Sequence, residues 1–170
     1  NTNATFLQNI NVGVAITAGK LGIGFTDANV KVGNTALDSL TTGNYNTAVG
    51  HQSLTANTTG SNNTAIGYEA LAANTQNNAT AVGGYAAASN TTGYITAFGY
   101  DAARSHTTGD QSTAIGNGAL RSVTTTNNNT AVGANALYSC TGANNTAVGR
   151  YANMLLTTAN TNQSFGYGAG

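Results

Sequence analysis

The chain has almost no charge, no proline, no tryptophan and one cysteine. Its 170 residues include five Lys or Arg and five Asp or Glu, for a formal net charge of zero. So few cations form no basic patch that could release counterions from phosphate, so no nucleic-acid partner is expected. Low charge also removes the self-repulsion that keeps polar chains disordered, and leaves little to attract an anionic membrane. Cys140, alone in the chain, cannot close an intrachain disulfide, so cohesion must come from hydrogen-bonded ladders and burial. No run approaches the ~20 continuous apolar residues of a membrane helix, so no membrane insertion is expected. The polar start Asn1-Thr2-Asn3 lacks the basic and apolar regions of a signal peptide, which leaves a removed signal or another export route.

What is present is a repeat. Asn46-Thr47-Ala48-Val49-Gly50 returns as Asn63-Thr64-Ala65-Ile66-Gly67, Thr80-Ala81-Val82-Gly83, Thr96-Ala97-Phe98-Gly99 and Thr113-Ala114-Ile115-Gly116, then as Asn129-Thr130-Ala131-Val132-Gly133 and Asn145-Thr146-Ala147-Val148-Gly149. Degenerate copies end in Gly33 and Gly166, and successive glycines from Gly33 to Gly166 are 17, 17, 16, 16, 17, 17, 16 and 17 residues apart. Three residues after each glycine comes Ala36, Ser53, Ala70, Ala86, Ala102, Ala119, Ala136, Ala152 or Ala169, followed by a column containing Leu37, Leu54, Leu71, Leu120 and Leu137. The remainder is turn chemistry such as Thr58-Thr59-Gly60 and Cys140-Thr141-Gly142. A unit this short, with no apolar run of helical period, cannot be a helical repeat. It reads as one rung of an all-β parallel solenoid, made of two β-favouring segments and two turns. At the ~4.8 Å strand spacing, the eight steps from Gly33 to Gly166 extend about 38 Å.

Alternation along a strand sends Thr47 and Val49 to one side and Ala48 and Gly50 to the other. Hydrophobicity then assigns the inside to Val49, Ile66, Val82, Phe98, Ile115, Val132, Val148 and Phe165, with Leu54, Leu71, Leu120 and Leu137 as the partner stack. The opposite strip, Ala48, Ala65, Ala81, Ala97, Ala114, Ala131 and Ala147, is small and smooth, as close approach of another backbone requires. Two bulky apolar side chains per rung leave one chain short of stability, so the strip is expected to be buried between chains that share one core.

These Thr-Ala-Val/Ile-Gly-x-x-Ala units, over residues 29–170, resemble the head repeats of trimeric autotransporter adhesins of the YadA type and related repeats of bacteriophage tail fibres. The resemblance implies a left-handed β-roll, a homotrimer, and attachment to a host cell-surface glycan or protein from an extracellular site on a virion or bacterial cell. Those adhesin heads use a shorter rung, without the Thr-Thr-Gly loop, and the stalk, neck and anchor have no counterpart here, which leans the reading toward the viral fibres. Residues 1–28, including Val12-Gly13-Val14-Ala15-Ile16, form a separate N-terminal β or extended segment, expected to exchange between chains. The chain stops at Ala169-Gly170, partway through a unit, as a piece of a longer fibre or a subunit polymerising end to end would.

Catalytic residues, metal ligands and cofactors are not expected. His51 and His106 lie three repeats apart; tripled in a trimer, either could ring a metal on the axis, but solvated surface imidazoles are the plainer reading. Asp27, Asp38, Glu69, Asp101 and Asp110 are scattered rather than paired as in a glycosidase. Gly19, Gly22 and Gly24 lack the Lys-Ser/Thr of a phosphate loop. Cys140 reads as a turn residue standing in for Thr. Tyrosines recur near the strand-turn junctions; Tyr68 and Tyr100, directly after the repeat glycine, are the candidate receptor contacts, against a reading as packing between chains. The functional expectation is a non-enzymatic attachment fibre. The alternatives are a purely structural filament and an ice-binding solenoid, the last disfavoured because the Thr47, Thr64, Thr80 column shares the face assigned to the interior.

Overall fold

A computed structural model describes residues 28–92, 94–155 and 158–170; the expected N-terminal segment, apart from Ala28, lies outside the described residues. Nine strands follow one another: β1 (Val30–Val32), β2 (Thr47–Val49), β3 (Thr64–Ile66), β4 (Thr80–Val82), β5 (Ile95–Phe98), β6 (Ser112–Ile115), β7 (Thr130–Val132), β8 (Thr146–Val148) and β9 (Gln163–Phe165). They form one parallel sheet in sequence order, a β-solenoid with one rung per repeat. Register stacks like on like: Thr47 pairs with Thr64, Ala48 with Ala65 and Val49 with Ile66, and Phe98 pairs with Ile115.

The unequal repeat lengths do not disturb this register. Seven residues separate Gly50 from Asn57 and Gly67 from Asn74, and four separate Asn63 from Gly67 and Ala79 from Gly83. Only the loop between varies, with six residues from Asn57 to Asn63 and five from Asn74 to Ala79. The loop absorbs the deletion, as an exposed connection can.

Each rung has one strand, not two. The segment after each glycine is a chain of tight turns whose amides alternate between bonding within the rung and bonding to the next. Leu71 N–H donates to the Ala86 carbonyl (3.0 Å), Ala72 back to Glu69 (3.3 Å), Ala73 to Ala88 (3.0 Å) and Asn74 back to Leu71 (3.0 Å). That zigzag needs alternate residues at positive φ, such as Glu69 at 53° and Leu71 at 51°. Bulky residues rarely adopt this conformation, and here the two sets of hydrogen bonds hold them in it.

The two faces of the strands are the reverse of the expected ones. The strip Ala48, Ala65, Ala81, Ala97, Ala114, Ala131 and Ala147 is fully buried inside the chain's own roll. Facing outward are Ile66, Phe98, Ile115, Val148 and Phe165, 37–65% exposed, and the half-buried Val49, Val82 and Val132. The cause is thickness. The strand alanines share the interior with the turn-segment alanines, such as Ala70, Ala86 and Ala102, and with Leu37, Leu54, Leu71, Leu120 and Leu137, all at most 1% exposed. The backbone that approaches closely is that of the next rung, not another chain. Gly50 has φ +135°, and a Cβ there would stand 2.4 Å from the Gly67 carbonyl oxygen, so any side chain would force neighbouring rungs apart.

A buried asparagine column ties most of the rungs together. The Asn46 Oδ1 accepts the Asn63 amide (3.0 Å) while its Nδ2 donates to the Gly60 carbonyl (2.8 Å). Asn29 does the same for Asn46 and Gly43, at 2.9 Å each. Asn129 serves Asn145 and Gly142, at 2.9 and 3.0 Å. One amide thus ties the start of a strand and the preceding loop of the next rung together, leaving no buried polar group of its own unpaired.

Candidate interaction surfaces

The strand face is a stripe of Thr and aliphatic or aromatic side chains in register. From β2 to β8 its outward residues are Thr47 and Val49, Thr64 and Ile66, Thr80 and Val82, Thr96 and Phe98, Thr113 and Ile115, Thr130 and Val132, Thr146 and Val148. None of them is ionisable. The expectation that the threonines point inward is therefore overturned with that of the valines, since both belong to one side of the same alternation.

The turn segment carries most of the charge. Arg104 Nη1 and Arg121 Nε reach the two oxygens of Asp101 at 3.2 and 2.9 Å. The Arg104 guanidinium carbon sits 4.3 Å from the Tyr85 ring centre, and Arg121 also hydrogen-bonds the Tyr138 hydroxyl. The hydrogen bonds from Tyr138 and Asp101 hold the Arg121 pKa above its usual value.

Where β2 to β5 give way to their turn segments, aromatic rings converge. His51 stacks on Tyr68 at 5.5 Å, Tyr68 meets Tyr85 edge-on at 5.0 Å, and Tyr85 meets Tyr100 edge-on at 5.9 Å. Gly84, in the place held by His51, Tyr68 and Tyr100 in other rungs, leaves room for this: a Cβ there would lie 3.3 Å from the Tyr100 ring. Tyr68 and Tyr100 are 44% and 53% exposed. A hydrogen bond with the Glu69 carboxylate, followed by burial, pushes the Tyr68 phenol up to about 12.

The remaining candidates part company. His51 is exposed, whereas His106 is fully buried, so the reading of both as surface imidazoles fails for His106. Cys140 is also fully buried. It does not replace a turn threonine: it stands seven residues after Gly133, in the interior column of Asn57 and Asn74, with Sγ 3.2 Å from the Gly142 carbonyl. Burial raises its thiol pKa. Asp101 is engaged by its two arginines and Asp38 by Lys31 at 3.6 Å. Among the described residues no three His, Cys, Asp or Glu side chains group as metal ligands, and no cavity is found. The interior column itself was missed from the sequence, although the seventh residue after each glycine was there to be compared.

No family model, curated protein or solved structure matches the chain.

Proposed function

We propose that the chain is a segment of a non-enzymatic extracellular fibre, a left-handed β-roll like that of adhesin heads and phage fibres, in which three copies pack through their strand faces. The observation that carries this is the segregation of the surface. An uncharged stripe of outward Val, Ile and Phe, exposed or half-buried, runs over seven rungs, while Glu69, Asp101, Arg104 and Arg121 all lie on the turn segment. A contiguous apolar patch of that extent marks an interaction surface, and identical rungs offer an identical contact at every level of a symmetric assembly. The contact surface differs from the alanine strip first expected, but the need for partner chains is the same. Phe98→Cys should form disulfide-linked chains under mild oxidation, and Thr55→Cys on the turn segment should not. Equal linking at both positions, or at neither, removes the strand-face assembly.

Attachment is assigned to the aromatic corner, with Tyr68 and Tyr100 presenting ring faces and hydroxyls to a host-surface glycan or protein. The rod should bind members of an array of purified bacterial and animal surface glycans, and lose that binding in the Tyr68→Ala/Tyr100→Ala variant. Binding that survives both changes makes the rod a spacer, and the purely structural filament then stands.

One observation favours a second reading. The outward Thr47, Thr64, Thr80, Thr96, Thr113, Thr130 and Thr146 form a regular column at rung spacing, the kind of ordered array an ice surface could match. Phe98 interrupts its flatness. Thermal hysteresis measured on the isolated rod decides it: a clear freezing gap supports ice binding, and none eliminates it.

A further inference from the structure

The interior of the solenoid changes character at its centre. The asparagine column runs Asn29, Asn46, Asn63 and resumes with Asn129 and Asn145, but the three positions between are Ala79, Ile95 and Ser112. The Ala79 rung still receives the tie from Asn63, whose Oδ1 accepts the Ala79 amide at 2.9 Å while its Nδ2 donates to the Gln76 carbonyl at 2.8 Å, but Ala79, Ile95 and Ser112 have no side-chain amide to pass it on to the next rung. His106 lies against this gap, in the column seven residues after each glycine, with Asn90 one rung below and Val123 one rung above.

Comparison with Asn57 in the same column shows what is missing. Asn57 Oδ1 accepts the Gly60 amide at 2.8 Å, and its Nδ2 donates to the Gly60 carbonyl at 3.0 Å. A Cβ on Gly60 would lie 2.6 Å from Asn57 Oδ1, and a Cβ on Gly109 would lie 2.6 Å from His106 Nε2. The imidazole nitrogen therefore occupies the place of the amide oxygen beside the loop glycine. Yet neither ring nitrogen of His106 has a partner at good hydrogen-bond geometry, the Thr126 backbone offering at most a weak one, and the side chain is 0% exposed. The acceptor that Asn63 Oδ1 gives the Asn74 amide at 3.2 Å has no counterpart for His106, because Ile95 stands in the corresponding place. Burial holds the imidazole below its ordinary pKa, against weaker pulls from the Thr126 backbone and the Asp110 carboxylate. Asp110 is the titratable group facing it from its own loop, with Oδ1 buried and unbonded. The rung below offers Asn90 and Ile95, and the rung above Ser112, Val123 and Thr126, none of them ionisable. Arg104, two residues earlier, is turned outward onto Asp101 and Tyr85.

We propose that His106 makes the central rungs an acid-sensitive seam, at which the rod opens between two asparagine-tied blocks when the solution becomes acidic enough to protonate an exposed imidazole. The folded state keeps His106 neutral, because a cation there would be buried with too few acceptors. The opened chain takes up the proton freely. Since the folded pKa is depressed, its contribution is intact above the unfolded value of about 6.5 and is lost as pH falls below it, until the folded imidazole itself protonates. Within that window the folding equilibrium constant drops by up to about tenfold per pH unit for each chain. The device does not depend on the fibre reading.

The test uses the whole chain between about pH 7.5 and about pH 5, above the range in which ordinary carboxylates titrate. Thermal midpoints of the wild type and of His51→Asn should fall together across this interval, and His106→Asn, which restores the Asn57 arrangement, should lose the fall. Hydrogen exchange at about pH 5 should accelerate first in amides 90–112, ahead of those in β2–β3 and β7–β8. Should His106→Asn not fold, the wild-type His106 ring proton followed by NMR replaces it, with a midpoint below the ordinary imidazole value of about 6.5 expected. An acid loss that persists in His106→Asn, uniform exchange along the rod, or an ordinary His106 midpoint overturns the seam.

Discussion

Ala48 and Val49 are neighbours in β2, yet the alanine is fully buried while the larger valine lies on the outer side. In a strand packed on an ordinary core the larger residue would be inside, because burying it removes more apolar area from water. Here the interior is set by the width of the roll, with strand alanines and turn-segment alanines filling it together with the leucines. The difference between the faces teaches that small size selects the inner column, and it leaves the apolarity of the outer column to be explained by the proposed contact between chains.

That comparison breaks most readily from the inside. Ala97→Leu inserts three carbons where the interior has no space, and is expected to cost about 3 kcal/mol or to prevent folding; urea unfolding followed by circular dichroism measures it. Next comes the column that ties the rungs. Asn46→Ala strips the Asn63 amide and the Gly60 carbonyl of their buried partners, for an expected loss of about 2 kcal/mol by the same measurement. The outer face should respond in the opposite sense. Ile66→Lys is expected to change the stability of a single chain by no more than about 0.5 kcal/mol, while abolishing association of chains in sedimentation velocity. Last comes the turn segment: Arg121→Ala takes one of two arginines from the buried Asp101 carboxylate, which Arg104 still holds, and should cost about 1 kcal/mol, shrinking in high salt.

Much of this architecture was legible in the residues. The glycine column fixed the period, and the constant Thr-Ala-Val segment fixed the register seen between Ala65 and Ala81 or Ile66 and Val82. What period two cannot supply is the sign of the alternation. A signal did exist: small residues recur both within the strand, as Ala65, and three residues after the glycine, as Ala70. Two facing columns of alanine describe a core too thin for valine. The turn segment was hidden because Leu71 at positive φ defies local preference, and only the inter-rung hydrogen bonds hold it there. His106 was hidden because its column holds Asn, His, Val and Cys in turn, so no residue type advertises it.

The account stands or falls most directly on the mass of the native chain in solution. Light scattering on the eluting wild-type protein should give a multiple of 17.0 kDa, and Ile66→Lys/Ile115→Lys should return it to one chain with its β-sheet circular dichroism retained. A wild-type protein that elutes folded as a single chain would mean that the outward Val, Ile and Phe columns face water, and would contradict it.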